Sequence, residues 1–126
     1  MIKGGGRMLK RRFKLKLYRP SAGTEANPLR REWEELPQGS PGKARANLKF
    51  VLAGFAEPPP FRPAEESSPI ECFSSEFEPE GVVYIFCVRL PERGILVLLH
   101  LRAETRDTPS EDSYRVAIRR YRDLVL

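Results

Sequence analysis

His100 and Arg102 stand two residues apart at the end of the apolar run ILVLLHL, a spacing that puts both side chains on one face of an extended strand. An imidazole suits proton transfer near neutrality, and a guanidinium steadies developing negative charge. Arg106 lies in the turn that follows, and Tyr114 in SYRVAIRR adds a phenol. These four residues raise the question of whether the turn after the strand presents cations and a phenol to a phosphate-bearing partner. Each also has a plainer fate. A strand-end histidine is more often structural, a turn arginine is ordinarily solvated, and Tyr114 falls on the apolar stripe of a helix, where its ring would pack with the hydroxyl near the surface.

Other chemistries find little support. His100 is the sole histidine, and Cys72 and Cys87 form no CxxC pair, so a structural zinc is not expected. The glycines at 4–6 precede no strand-to-helix unit, phosphate-loop and dinucleotide motifs are missing, and no nucleotide cofactor is expected. Neither a nucleophile elbow nor a cysteine with an evident partner base is present. Two cysteines and no secretory apolar run predict reduced thiols in a cytoplasmic setting. No stretch has the length of apolar residues that a membrane span requires.

The 126 residues, 40% hydrophobic and 31% charged, fit one domain with one modest core. Charge is unevenly distributed. Of 22 Lys and Arg, eight fall in the first 20 residues, which hold no acid, leaving 14 cations against 17 acids in the remainder. Residues 1–12 read as a basic arm that like-charge repulsion keeps loosely ordered, and GGGR makes Met8 a second candidate start. Arg12, Lys14, Lys16 and Arg19, with Arg119 in the last helix, are the candidate RNA-binding cations.

Elements that would position these groups follow from periodicity. In RFKLKLY, apolar Phe13, Leu15 and Leu17 alternate with lysines, which predicts a half-buried strand. Asn27-Pro28 predicts a capped helix carrying Leu29, Trp33 and Leu36 up to Pro37. Ser40-Pro41 repeats the device ahead of Ala44, Leu48, Val51, Leu52 and Phe55, making a two-helix hairpin. The Glu- and Pro-rich stretch 57–80 predicts a loop and one irregular strand at IECFSSEF. VVYIFCVRL and ILVLLHL, joined by PERG, predict a central hairpin. Thr108, Pro109 and Glu111 predict a capping box for a helix whose face carries Tyr114, Ala117, Ile118 and Tyr121. The outcome is an α+β fold: a largely antiparallel twisted sheet of about four strands, an N-terminal two-helix hairpin and a C-terminal helix over residues 13–126.

Four local strings, in order, resemble the RelE/HigB superfamily of bacterial toxins, especially its phage-derived HigB-like subgroup. They are Tyr18-Arg19 after the first strand, Leu36-Pro37 with Lys43-Ala44-Arg45, Leu98-Leu99-His100, and Thr105-Arg106-Asp107-Thr108-Pro109 before the last helix. The resemblance spans about residues 13–124. It implies a RelE-like fold and a metal-independent endoribonuclease that cuts ribosome-bound messenger RNA and is silenced by a cognate antitoxin. In such a site a 2′-hydroxyl attacks the adjacent phosphorus while one group takes its proton, cations stabilise the transition state and another group protonates the leaving oxygen. The resemblance gives Arg102 and Arg106 the place of the phosphate cations, and Tyr114 or His100 that of the acid or base.

The chain departs from that pattern where cations matter. The family's basic triplet after the last strand is Ala103-Glu104-Thr105 here, and the lysine before Thr-Pro is Asp107. Glu71, Ser74, Ser75 and Glu76 occupy a strand that carries basic residues in RelE-type members, and Val83 stands for an arginine. Three readings follow: a working messenger-RNA interferase, a RelE-fold binding module that has lost catalysis and engages an antitoxin-like protein or nucleic acid, or, on the subgroup's origin alone, a phage-derived structural or assembly protein. Fold alone cannot choose between them.

Overall fold

The computed structural model describes residues 12–20, 27–52, 61–63, 69–77, 81–105 and 109–124. The basic arm up to residue 11, Phe55, Arg106 and Thr108 lie outside them. The elements run β1 (Lys14–Leu17), α1 (Pro28–Glu34), α2 (Ser40–Leu52), β2 (Phe61–Pro63), β3 (Glu71–Phe77), β4 (Gly81–Leu90), β5 (Ile95–Glu104) and α3 (Glu111–Arg122). The fold is α+β, with one five-stranded sheet in the order β1-β5-β4-β3-β2.

The central hairpin lies where the apolar runs predict. Val83 through Val88 and Leu96 through Leu99 are all buried, which demands cover on both faces of the sheet. Gly94, at φ +66°, supplies the left-handed residue that closes the β4–β5 turn. Helices α1 and α3 pack on β5, and α2 packs on β3 and β4 through Ala44, Leu48 and Leu52. The guanidinium of Arg45 stands 5.6 Å from the centre of the Trp33 ring, so α2 also touches α1.

Several expectations are corrected. The sheet has five strands, because Phe61–Pro63 within the proline-rich stretch pairs antiparallel with β3. β1 pairs parallel with β5, so the antiparallel character belongs to β2 through β5. The segment at 71–77 forms a regular ladder with β4 and not an irregular strand. Helix α1 ends at Glu34, short of Pro37. α2 begins at Ser40 itself, whose hydroxyl donates to the Pro37 carbonyl at 2.7 Å. Helix α3 is capped by Ser110, two residues later than the Thr108 box, so Pro109 precedes the cap. Along β1 the apolar alternation is covered only at its start: Phe13 and Leu15 are half-buried and Leu17 is 43% exposed. Arg12 is anchored, its amide and that of Phe13 both donating to the Leu52 carbonyl at the end of α2.

Candidate functional site

The β4–β5 ladder sets out the site. Phe86 pairs with His100 and Tyr84 with Arg102, so these four side chains share a face. Beyond Phe86 the register slips: Cys87 pairs with Leu98, and Leu99 is the extra residue of a bulge. Its carbonyl accepts a hydrogen bond from Arg120 Nη1 at 2.8 Å, so α3 is fastened where the strand is irregular.

Around the bulge lies a polar cluster that crosses three elements. Glu32 of α1 receives Arg120 Nη2 on Oε2 at 2.7 Å and the amide of Leu101 on Oε1 at 3.1 Å. His100 Nδ1 also lies 3.0 Å from Oε1, a short ionic contact when the ring is protonated, but without hydrogen-bond alignment. Burial would raise the Glu32 carboxyl, yet the His100 contact, the Arg120 hydrogen bond and the Leu101 amide outweigh it and hold the group below its usual range. The Arg120 guanidinium in turn stands 5.4 Å from the centre of the Tyr18 ring. The Tyr18 hydroxyl donates to Asp123 Oδ2 at 2.8 Å. Burial and then the Asp123 carboxylate push the Tyr18 phenol above its ordinary value, against the weaker opposing pull of Arg120 and Arg119.

His100 is therefore structural on one side: only 4% exposed, stacked on Phe86 at 5.6 Å between ring centres, with both ring nitrogens buried and neither aligned to a hydrogen-bond partner among the described residues. Arg102 emerges exposed one pleat further on. The two line one groove of about 490 Å³, whose wall also holds Glu32, Val116 and Arg120. Tyr114 is half-buried, edge-on to Phe86 at 5.5 Å and 79°, and is not among the groove's lining residues. The structure thus brings His100 and Arg102 together and sets Tyr114 one ring away. Arg106 lies outside the described residues. Arg12, Lys14, Lys16, Arg19 and Arg119 are all exposed.

The acid in the turn has a defined task. Glu104 Oε2 accepts from the Ser110 amide, the Ser110 hydroxyl and the Ser113 hydroxyl at 3.2, 3.2 and 2.9 Å, so it ties the end of β5 to the start of α3. Glu71, on the strand where cations were expected from the family, makes a bidentate pair with Arg89, both contacts at 2.7 Å. Cys72 and Cys87 are free and buried, and burial followed by the Glu71 charge drives the Cys87 thiol well up, away from nucleophilic use. Among the described residues no group of three or more His, Cys, Asp or Glu is placed to hold a metal ion, and no helix is long and apolar enough to cross a membrane.

Glu32, Arg120, Tyr18 and Asp123 were not among the sequence-derived site residues. A signal existed for the first two. Glu32 is three residues beyond buried Leu29 and four before Leu36, and Arg120 is three beyond buried Ala117, so each interrupts an otherwise apolar helix face. Comparison with family models, with curated proteins and with solved structures returned no match, so the site is read from its own geometry.

Proposed function

We propose that the chain is a RelE/HigB-type toxin: a metal-independent endoribonuclease acting in the cytoplasm on ribosome-bound messenger RNA and silenced by a cognate antitoxin protein. The observation that carries this reading is the shared groove of His100 and Arg102, with Glu32 behind the imidazole. A carboxylate 3.0 Å from Nδ1 favours the protonated ring without fixing its tautomer through an aligned hydrogen bond, and a neighbouring guanidinium suits a phosphate oxygen. In this reaction the RNA 2′-oxygen forms a bond to phosphorus as the bond from phosphorus to the 5′-oxygen breaks. The 2′-proton passes to the base, and the departing oxygen takes a proton from the acid. Arg102 holds the phosphate, with Arg106 as a second cation in the family's pattern. His100 exchanges protons, with Tyr114 one ring away as the alternative. Because both nitrogens of His100 are shielded, the groove wall must move before they reach a substrate.

That shielding, together with Glu71 on the strand where family members carry cations, favours the second reading: a binding module of the same fold that has lost catalysis and holds an antitoxin-like protein or RNA. Induced expression in a bacterial host separates the two when growth and the 5′ ends of messenger RNA are followed together. Arrest with new cuts inside translated codons upholds the toxin. Normal growth with intact messages, from soluble folded protein, rejects it in favour of the module.

A further inference from the structure

We infer that a second groove, walled by Arg31 of α1 and Arg119 of α3, is a docking subsite for the phosphates of single-stranded RNA. The groove, of about 550 Å³, is lined by Tyr18, Arg30, Arg31, Glu34, Arg119 and Arg120, among others. Two of the four guanidiniums are already engaged. Arg30 leans on Glu34 at 3.6 Å, and Arg120 is held by Glu32 and the Leu99 carbonyl. Arg31 and Arg119 are exposed and, among the described residues, neither has an acid within ion-pair distance. With no acid at ion-pair distance from either among the described residues, two guanidiniums lining one groove suit an oxyanion that accepts from both. A phosphodiester matches their planar forks.

The surroundings say which kind of anion. Lys14 and Lys16 alternate along the exposed side of β1 and Arg19 follows, all three exposed, and β1 leads straight into Tyr18 at the groove. Positive charge is thus spread along the chain that leads to the groove and not confined to it, which suits a linear polyanion better than a free phosphate ion. A folded acidic protein would need an apolar anchor at the centre of its footprint. Tyr18 is only 7% exposed, and Leu17 on β1 is the one exposed large hydrophobic residue among those described. Arg120 lines this groove and the His100–Arg102 groove alike, so RNA gripped by Arg31 and Arg119 lies beside the proposed reaction groove. The inference rests on RNA being the ligand of the proposed function but not on cleavage.

The test is fluorescence anisotropy of the full chain with a labelled single-stranded RNA of about 12 nucleotides, repeated over a range of salt. Arg31→Gln with Arg119→Gln should weaken binding at least about tenfold at low salt and make the slope of log affinity against log salt shallower by about 1.4, two contacts at about 0.7 each. Arg31→Lys with Arg119→Lys should keep the slope and recover only part of the affinity, because the charge returns without the fork. Both arginines are exposed, so circular dichroism of the variants should match the parent. Unchanged affinity and slope in the folded Gln pair would overturn the inference. So would displacement of RNA by inorganic phosphate alone at low concentration, or by polyglutamate as strongly as by unlabelled RNA. If the chain never cuts RNA but the Gln pair loses binding, the subsite stands while the nuclease fails. If it cuts and the Gln pair binds unchanged, the nuclease stands while the subsite fails.

Discussion

The guanidinium of Arg120 in the last helix holds the carboxylate of Glu32 in the first at 2.7 Å, with both side chains more than four-fifths buried. The same carboxylate meets His100 and the Leu101 amide, and the same guanidinium reaches the Leu99 carbonyl. One ion pair therefore clamps α1 and α3 onto β5 at its bulge and sets a carboxylate against the imidazole at the proposed reaction groove.

Removing the carboxylate would leave Arg120 and its neighbours buried without their counter-charge. Glu32→Ala should lower stability by about 3 kcal/mol. Glu34→Ala, which breaks only the exposed pair with Arg30, should cost under about 0.5 kcal/mol. Urea denaturation of the two variants checks the contrast, and equal losses would mean that the clamp does not anchor the helices.

Acid should loosen the same clamp. The Glu32 carboxyl titrates lower in the folded chain than its ordinary value of 4.5, so its stabilising contribution is complete above that value. The contribution is lost as pH falls through the lower folded value. Melting temperature followed from pH 7 downward should therefore drop less steeply below about pH 4.5 for Glu32→Gln than for the parent.

At the other end of the scale, Tyr18 titrates above its ordinary 10.0 when folded, so its contribution is complete below that pH and declines as pH rises through the folded value. Tyr18→Phe should cost about 1 kcal/mol near neutrality through loss of the Asp123 hydrogen bond. The same variant should flatten the alkaline fall in stability, which denaturation at rising pH would reveal.

Glu104 fastens β5 to α3 through Ser110 and Ser113, and Ser113 is fully buried. Glu104→Ala should cost about 1–2 kcal/mol, since it leaves the buried Ser113 hydroxyl with only the Ser110 hydroxyl as partner and removes a favourable charge from the helix start. Hydrogen exchange should locate the loosening in the first turn of α3. A uniform change across the sheet would contradict a local capping role.

Arg102 is exposed, so Arg102→Ala should change stability by less than about 0.5 kcal/mol. Under the toxin reading the same substitution relieves growth arrest. A variant equally expressed and equally toxic would remove Arg102 from the mechanism.

The features legible in the sequence were those set by local pattern. VVYIFCVRL and ILVLLHL declare the central hairpin by unbroken burial, and Asn27-Pro28 declares α1, where the Asn27 side chain accepts the Leu29 amide at 2.8 Å. Ser110 and Thr108 flank one proline and compete as caps. The choice falls to Ser110 because Glu104, from another element, holds its amide and hydroxyl. β2 escaped notice because three residues amid prolines carry no periodicity, and their strand character comes only from the ladder with β3. His100 and Arg102 were legible as a pair through strand alternation. Their setting was only partly so: Glu32 and Arg120 each interrupt an apolar helix face, but nothing in the sequence shows that the two meet beside His100.

β1 lies parallel beside β5, and Tyr18 reaches Asp123 across a separation of 105 residues. As the chain leaves the ribosome, β1 is made before its strand partner among the described residues, β5, which follows nearly all the rest of the sheet. Its lysine-flanked edge then waits unpaired, while α1 lacks both β5 and the Arg120 counter-ion. The hairpin β4–β5 can close as soon as it emerges and α3 can fold back on the strand just before it, whereas pairing of β1 with β5 must close a far longer loop. Completion of the sheet and of both grooves along β5 thus waits until β5 and α3 have been made.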